Sequence, residues 1–239
     1  MIVARSLALA FTLGSAAMLA GCAGLDAAGS GPAAESPAYK VGDRWVYHVE
    51  DGFRVKTVWD ETHEIVAIGG GGVTVRITQA GPAINNVRTE QWSSPGQVKV
   101  GAIYENETRL FAAPLKRFEF PLAAGKTWNQ WVQNSNETSR TGGPINYYVR
   151  VRGWEKVTTP AGTFDALDMF VVTRLDDEEF WRYPTVGNYS VWYSPAVRGI
   201  VKQQKEATYR EKDGALDGGA TIRTQRTAIE LISFTPGNS

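Results

Sequence analysis

From Tyr39 onward, apolar and polar residues alternate with a period of two over most of the chain, the signature of half-buried β-strands. Arg44 to Glu50 (Arg-Trp-Val-Tyr-His-Val-Glu) puts Trp45, Tyr47 and Val49 on one face. Asp51-Gly52 tolerates the positive φ of a two-residue hairpin turn, and Phe53, Val55 and Thr57 continue one face of a return strand. Ile65–Ile68 and Val73–Thr78 read as a second hairpin joined by Gly69 to Gly72. Further strands are predicted at Val87–Trp92, Gln97–Tyr104, Arg117–Phe120, Trp128–Gln133 and Asn146–Gly153. Beyond them come Phe164–Leu175, Tyr189–Tyr193, Ile200–Arg210 and Thr221–Phe234, with Asp213-Gly214 and Gly218-Gly219 marking the last turn. No stretch of ten or more residues carries a convincing apolar period of 3.6. At Ala207–Lys212 a brief helix competes, but flanking β-branched residues favour strand.

Two landmarks recur in the same order. Gly42-Asp43-Arg44-Trp45 is matched by Gly125-Lys126-Thr127-Trp128, and Trp92-Ser93-Ser94-Pro95 by Trp192-Tyr193-Ser194-Pro195. Turn chemistry demands Gly and Pro but does not force the Trp spacing, so the pattern predicts two similar halves. The expected fold class is all-β: a strongly bent antiparallel sheet or incomplete barrel. The predicted domain spans residues 39–235, with half-repeats at about 39–118 and 119–235.

Residues 1–21 have the parts of an export signal: a basic start at Arg5, an apolar core from Leu7 to Leu13, and small residues before a cut. That core is shorter than the roughly 20 residues needed to span a bilayer. Leu19-Ala20-Gly21-Cys22 resembles the lipobox of bacterial lipoproteins, and Cys22 is the chain's single cysteine. The resemblance implies that Cys22 carries a diacylglycerol thioether and becomes the acylated N-terminus. Two or more acyl chains make such an anchor stable. Ala23 rather than Asp after the cysteine implies the outer membrane, with the domain facing the periplasm. An exported chain with one cysteine forms no internal disulfide and must rely on its core. Residues 22–38, rich in Ala, Gly, Ser and Pro, read as a flexible acylated tether.

The whole chain carries 25 basic and 25 acidic residues; removing 1–21 takes away Arg5 alone and leaves a formal charge of −1. A near-neutral chain argues against nucleic-acid binding, which needs a basic face. The expected partners are the membrane, through the anchor, and an apolar ligand or an envelope protein.

A second resemblance covers residues 125–205 best and 39–105 weakly. Pro160-Ala161-Gly162-Thr163-Phe164, followed by Trp192-Tyr193-Ser194-Pro195 and then Gly199 and Lys202, looks like several uncharacterised bacterial envelope families. Their fold implies a bent antiparallel sheet of the lipoprotein-carrier or half-barrel type, and they bring no catalytic residues. Trp192 and Tyr193 are expected on opposite faces of their strand.

Candidate chemistry is sparse. The glycine run at 69–72 lacks the Gly-Lys-Ser/Thr of a phosphate loop and leads into a strand. His63-Glu64 begins like a zincin motif, but Ala67 stands where the second His belongs. His48, His63 and a carboxylate form the one metal set considered, and no metal or cofactor is expected. Asp176-Asp177-Glu178-Glu179 lacks the alternating ligands and glycine of a calcium loop. No nucleophile elbow exists, and Glu61 and Glu64 are no more suggestive than other acids. The one concentration of aromatic residues points to Trp181, Tyr183, Tyr189 and Tyr193 as candidate ligand- or partner-binding residues. The sequence therefore favours a non-enzymatic envelope lipoprotein that binds a partner or apolar ligand. An assembly component acting through an exposed strand edge comes second, and a periplasmic hydrolase third.

Overall fold

The structure, a computed structural model, describes residues 29, 31–52, 56–70, 72–103, 107–137, 139–176, 182–212 and 221–238. Its strands are β1 (Arg44–Asp51), β2 (Thr57–Gly69), β3 (Gly72–Ala80), β4 (Asn85–Ser94), β5 (Gln97–Gly101) and β6 (Arg109–Lys116). They continue as β7 (Thr127–Asn136), β8 (Thr141–Thr159), β9 (Gly162–Leu175), β10 (Thr185–Ser194), β11 (Gly199–Arg210) and β12 (Ile222–Thr235). Each strand pairs antiparallel with its sequence neighbours, and β12 returns to β1, so the sheet closes into a barrel. The all-β, bent antiparallel reading holds, and the bending proceeds to full closure.

Side chains alternate as the pattern requires. On β3, Val73, Val75, Ile77 and Gln79 are buried while Arg76 faces out. Exterior positions are charged and often paired across strands, as in Arg76–Glu64 and Lys202–Glu230, both at 2.7 Å. A charged, ion-paired exterior is the reverse of a membrane-spanning barrel's outer face, which needs an apolar band. No helix among the described residues is long and apolar enough to cross a membrane.

Several expected boundaries shift. Asp51 pairs with Thr57, so the first connection runs over 52–56 rather than two residues. Gly52 has φ +108°, as the turn reading required, whereas Phe53 and Val55 lie outside the described residues. The expected strand at Arg117–Phe120 is irregular chain, and β6 lies just before it. Leu110-Phe111-Ala112-Ala113-Pro114 hides that strand because it does not alternate and contains a proline. Ala207 lies on β11, not in a helix. The last turn, at Asp213-Gly214 and Gly218-Gly219, lies outside the described residues.

The two sequence landmarks fall six strands apart, Trp45 and Trp128 opening β1 and β7, Trp92 and Trp192 closing β4 and β10. Gly42 and Gly125 have φ +88° and +83°. Gly42 N–H donates to the Ile65 carbonyl and Ile65 N–H to the Asp43 carbonyl; Gly125, Val151 and Lys126 repeat that pattern. A register shift follows each time, between Ile65 and Ala67 and between Val151 and Gly153. Such bulges sharpen the bend that closure demands. The halves diverge at the second landmark. Trp92 lines the interior, whereas Trp192 faces out to Glu155 and Tyr193 takes the buried position.

Where the halves meet, β6 and β7 pair only from Arg109–Asn136 to Phe111–Asn134. Side chains stitch the rest. Gln130 accepts from Lys116 N–H at 2.8 Å and donates to the Pro114 carbonyl at 3.0 Å, while the Trp128 indole donates to the Lys116 carbonyl at 2.8 Å. Every strand has a strand partner on each side, but often over part of its length only: among the described residues, Asn85–Glu90 of β4, Thr127–Gln133 of β7 and Arg152–Thr159 of β8 each keep one edge outside the ladder, and these are candidate exposed edges.

The stretch expected to be a free tether is partly docked. Ala34 exchanges two 2.8 Å backbone bonds with Leu122, and Gly29 bridges to Trp154, whose indole donates to the Pro32 carbonyl at 3.0 Å. Gly31 packs so close to that ring that a Cβ would lie 2.3 Å from it. A composition poor in large side chains does not keep a chain free when its backbone finds partners on the barrel.

Candidate functional site

A cavity of about 140 Å³ lies inside the barrel. Val98, Leu115, Val171, Val191 and Ile229 form its aliphatic lining, with Tyr39, Trp45, Trp92 and Tyr147 among the rings. The opposite character comes from β2, β4 and the chain after β6, which present Glu61, His63, Arg88, Glu90 and Arg117 to the same space. The volume is close to that of a known apolar cavity that holds benzene.

Alternation explains how charges reach the interior. On β4, Trp92 faces inward, so Glu90 and Arg88 at two-residue steps must follow it, and Val87 is left 60% exposed on the outside. Glu90 is 2% exposed. Its carboxylate accepts from Arg88 (2.9 Å), Arg117 (3.1 and 3.3 Å), the Trp92 indole (2.9 Å) and Ala102 N–H (3.2 Å). Burial pushes its pKa up, but the Arg117 and Arg88 charges and these bonds overcome burial and hold it well below the usual range. Arg117, whose guanidinium burial alone would lower, is raised by Glu90.

Glu61 accepts from Gln79 at 2.7 Å, lies 2.5 Å from His63 Nε2, and has Arg88 at 3.8 Å. Burial opposes ionisation there too, yet His63 and Arg88 bring the carboxyl down to about 2. Both buried acids are thus anions at neutral pH. Hydrolysis by paired carboxyls needs one raised, protonated acid, and neither Glu61 nor Glu90 supplies it. The arrangement is suited to holding fixed charge against a bound molecule.

The residues singled out in the sequence do not converge. Cys22 and Trp181 lie outside the described residues. Tyr183 is 41% exposed, with Arg210 over its ring at 4.2 Å, away from the cavity. Tyr189 does line the cavity; its hydroxyl accepts from Thr173 at 3.1 Å and Lys205 sits over its ring. Tyr193 is buried against Phe118 and Phe120. His48 points outward to Asp60 at 3.4 Å while His63 points inward, so those two histidines cannot share a metal. Among the described residues no group of three or more His, Cys, Asp or Glu is placed to hold a metal. Asp176 pairs with Arg174 at 2.9 Å, and the rest of that acidic run lies outside the described residues. Arg88, Glu90 and Arg117 were the residues sequence reasoning passed over, while Glu61 was weighed only as a candidate acid and His63 only as a metal ligand. Trp92 fixing the parity of β4 was the available signal.

The fold and interior together define a closed twelve-stranded antiparallel barrel with a small, partly charged cavity. No protein-family model matches the chain, and no curated protein matches it in sequence. Two solved structures are similar. One is a Bacteroides fragilis protein provisionally classed as exported, with a YmcC-like fold. It is 13% identical, with a TM-score of 0.49 over 85% of this chain and 100% of that one. The other is a Parabacteroides distasonis protein provisionally classed as a lipoprotein. It is 14% identical, with a TM-score of 0.44 over 86% of this chain and 100% of that one.

Proposed function

We propose that this chain is an envelope-anchored binding protein that takes a small, largely apolar molecule into its barrel. The cavity carries the reading: its aliphatic and aromatic walls and fixed charges match the make-up of ligand sites, apolar lining with a few placed polar groups. The lipobox-like Leu19-Ala20-Gly21-Cys22 supports a lipid anchor at the outer membrane, facing the periplasm. Six residues lie between Cys22 and docked Gly29, so a lipid on Cys22 would sit within about 25 Å of Trp154.

Native mass spectrometry of the chain purified without detergent, together with tryptophan fluorescence titrated with 1-hexanol, tests the binding. A saturable response that disappears in Val171→Phe and Val191→Phe, with the fold intact by circular dichroism, supports it. A clean apo mass with no saturable response overturns it.

A further inference from the structure

We infer that the molecule accommodated in the barrel is a single-chain amphiphile whose oxyanion head, a carboxylate or phosphate ester, sits at the Trp45 end of the cavity. The inference rests on the binding role proposed above and adds the ligand's chemical class. It stands on donors that the folded chain leaves unspent. Arg88 and Arg198 both line the cavity, and the Nε–H of each is buried with no hydrogen-bond partner. One terminal nitrogen of each is committed, Arg88 to Glu90 at 2.9 Å and Arg198 to Asp43 at 2.5 Å, and these bonds hold both guanidinium groups in place. A buried N–H left unmade is costly, and the natural complement to two surplus donors is an oxygen that only accepts.

The surroundings point the same way. Tyr39 lies at this end, its ring 6.0 Å from Trp45 and 5.6 Å from Trp92. Its phenol, raised above the usual range by burial first, also senses Tyr193, Arg117, Asp43 and Arg198, which gather about it. Arg117 and Arg198 retain about a quarter of their side-chain exposure, so this end lies nearer solvent than the aliphatic lining. Val98, Leu115, Val171, Val191 and Ile229 then line the space an acyl chain would take. A head at the guanidinium-rich end nearest solvent and a chain among aliphatic groups leaves each part of an amphiphile with matching partners. The docked 31–38 segment leads directly to Tyr39, so an anchor upstream brings this end to the membrane side.

Hexanoate, hexyl phosphate, 1-hexanol and hexylamine, each titrated by tryptophan fluorescence against the full chain, test the assignment. One of the two oxyanion probes binding at least about tenfold tighter than hexanol, with hexylamine weaker than hexanol, is the expected result. The Arg88→Lys/Arg198→Lys double variant keeps both charges beside Glu90 and Asp43 while removing the Nε–H donors. It should weaken the preferred oxyanion about tenfold and hexanol by much less, erasing the preference. Tyr39→Phe serves as a second variant where the double one unfolds, and should shrink the preference severalfold. Hexanol binding as tightly as hexanoate and hexyl phosphate overturns the head-group assignment while the binding role stands. No binding by any probe removes both.

Discussion

Arg117 reaches both carboxylate oxygens of Glu90, at 3.1 and 3.3 Å, from irregular chain that follows β6. One interior acid on β4 thereby fixes the connection between the barrel's two halves. Arg88 closes the group on the other side at 2.9 Å.

Removing Glu90 leaves two largely buried guanidinium groups without their shared anion. Glu90→Leu should therefore cost about 3–5 kcal/mol, the usual penalty for breaking a buried pair from one side. Replacing all three residues together, with Met at Arg88 and Arg117, should recover most of that loss. Urea midpoints of the single and triple variants check it; additive losses would mean the three residues do not act as a unit.

Glu61 gives the fold a pH dependence of definite sign. Its pKa is about 2 folded against 4.5 in the reference state. The stability it contributes is present above pH 4.5 and lost as pH falls toward 2. The loss over that window should be about 3 kcal/mol. Glu61→Gln should be less stable at neutral pH and lose less on acidification. Equilibrium urea unfolding between pH 6 and 3 reads the difference in slope.

How much of this was legible follows from where alternation is informative. Trp45, Tyr47 and Val49 were placed correctly because large apolar side chains face inward on any half-buried sheet. The same rule conceals Glu61, Arg88 and Glu90, because a charged residue on a strand reads as outward unless its neighbours fix the parity. Trp92 did fix it, yet β4 also exposes Val87, which blurs the pattern. Closure was not legible at all. It depends on β12 returning to β1 with a register shift after Val46, a contact between residues nearly two hundred apart. The short glycine-rich segment before Tyr39 misled for a different reason: composition reports the entropy of ordering a chain but not the backbone partners waiting for it.

At the seam between β6 and β7, one side chain replaces a stretch of ladder. Gln130→Ala would leave the Lys116 N–H and Pro114 carbonyl without their partners, at about 1–3 kcal/mol. Hydrogen exchange at Lys116 should accelerate well beyond the global loss of stability, because the opening is local. An exchange rate at Lys116 that follows global unfolding alone would show that Gln130 does not hold the seam.

The docked N-terminal segment can be released without touching the barrel. In Gly31→Val, the new Cβ would lie 2.3 Å from Trp154 Cδ1, and either the segment or the ring must move. The segment is held by two bonds at Ala34, one bridge at Gly29 and the indole bond to Pro32, whereas Trp154 belongs to β8 and is paired with Leu167. The weaker side yields, so residues 31–38 should detach. Exchange at the Ala34 and Leu122 amides should then rise about tenfold or more, and protease should cut between 31 and 38, while the urea midpoint of the barrel moves by no more than about 1 kcal/mol equivalent. Trp154→Ala should free the same amides by removing the surface rather than crowding it. Unchanged protection at Ala34 in both variants would mean that the Leu122 pairing alone holds the segment, and that Trp154 has no part in positioning it.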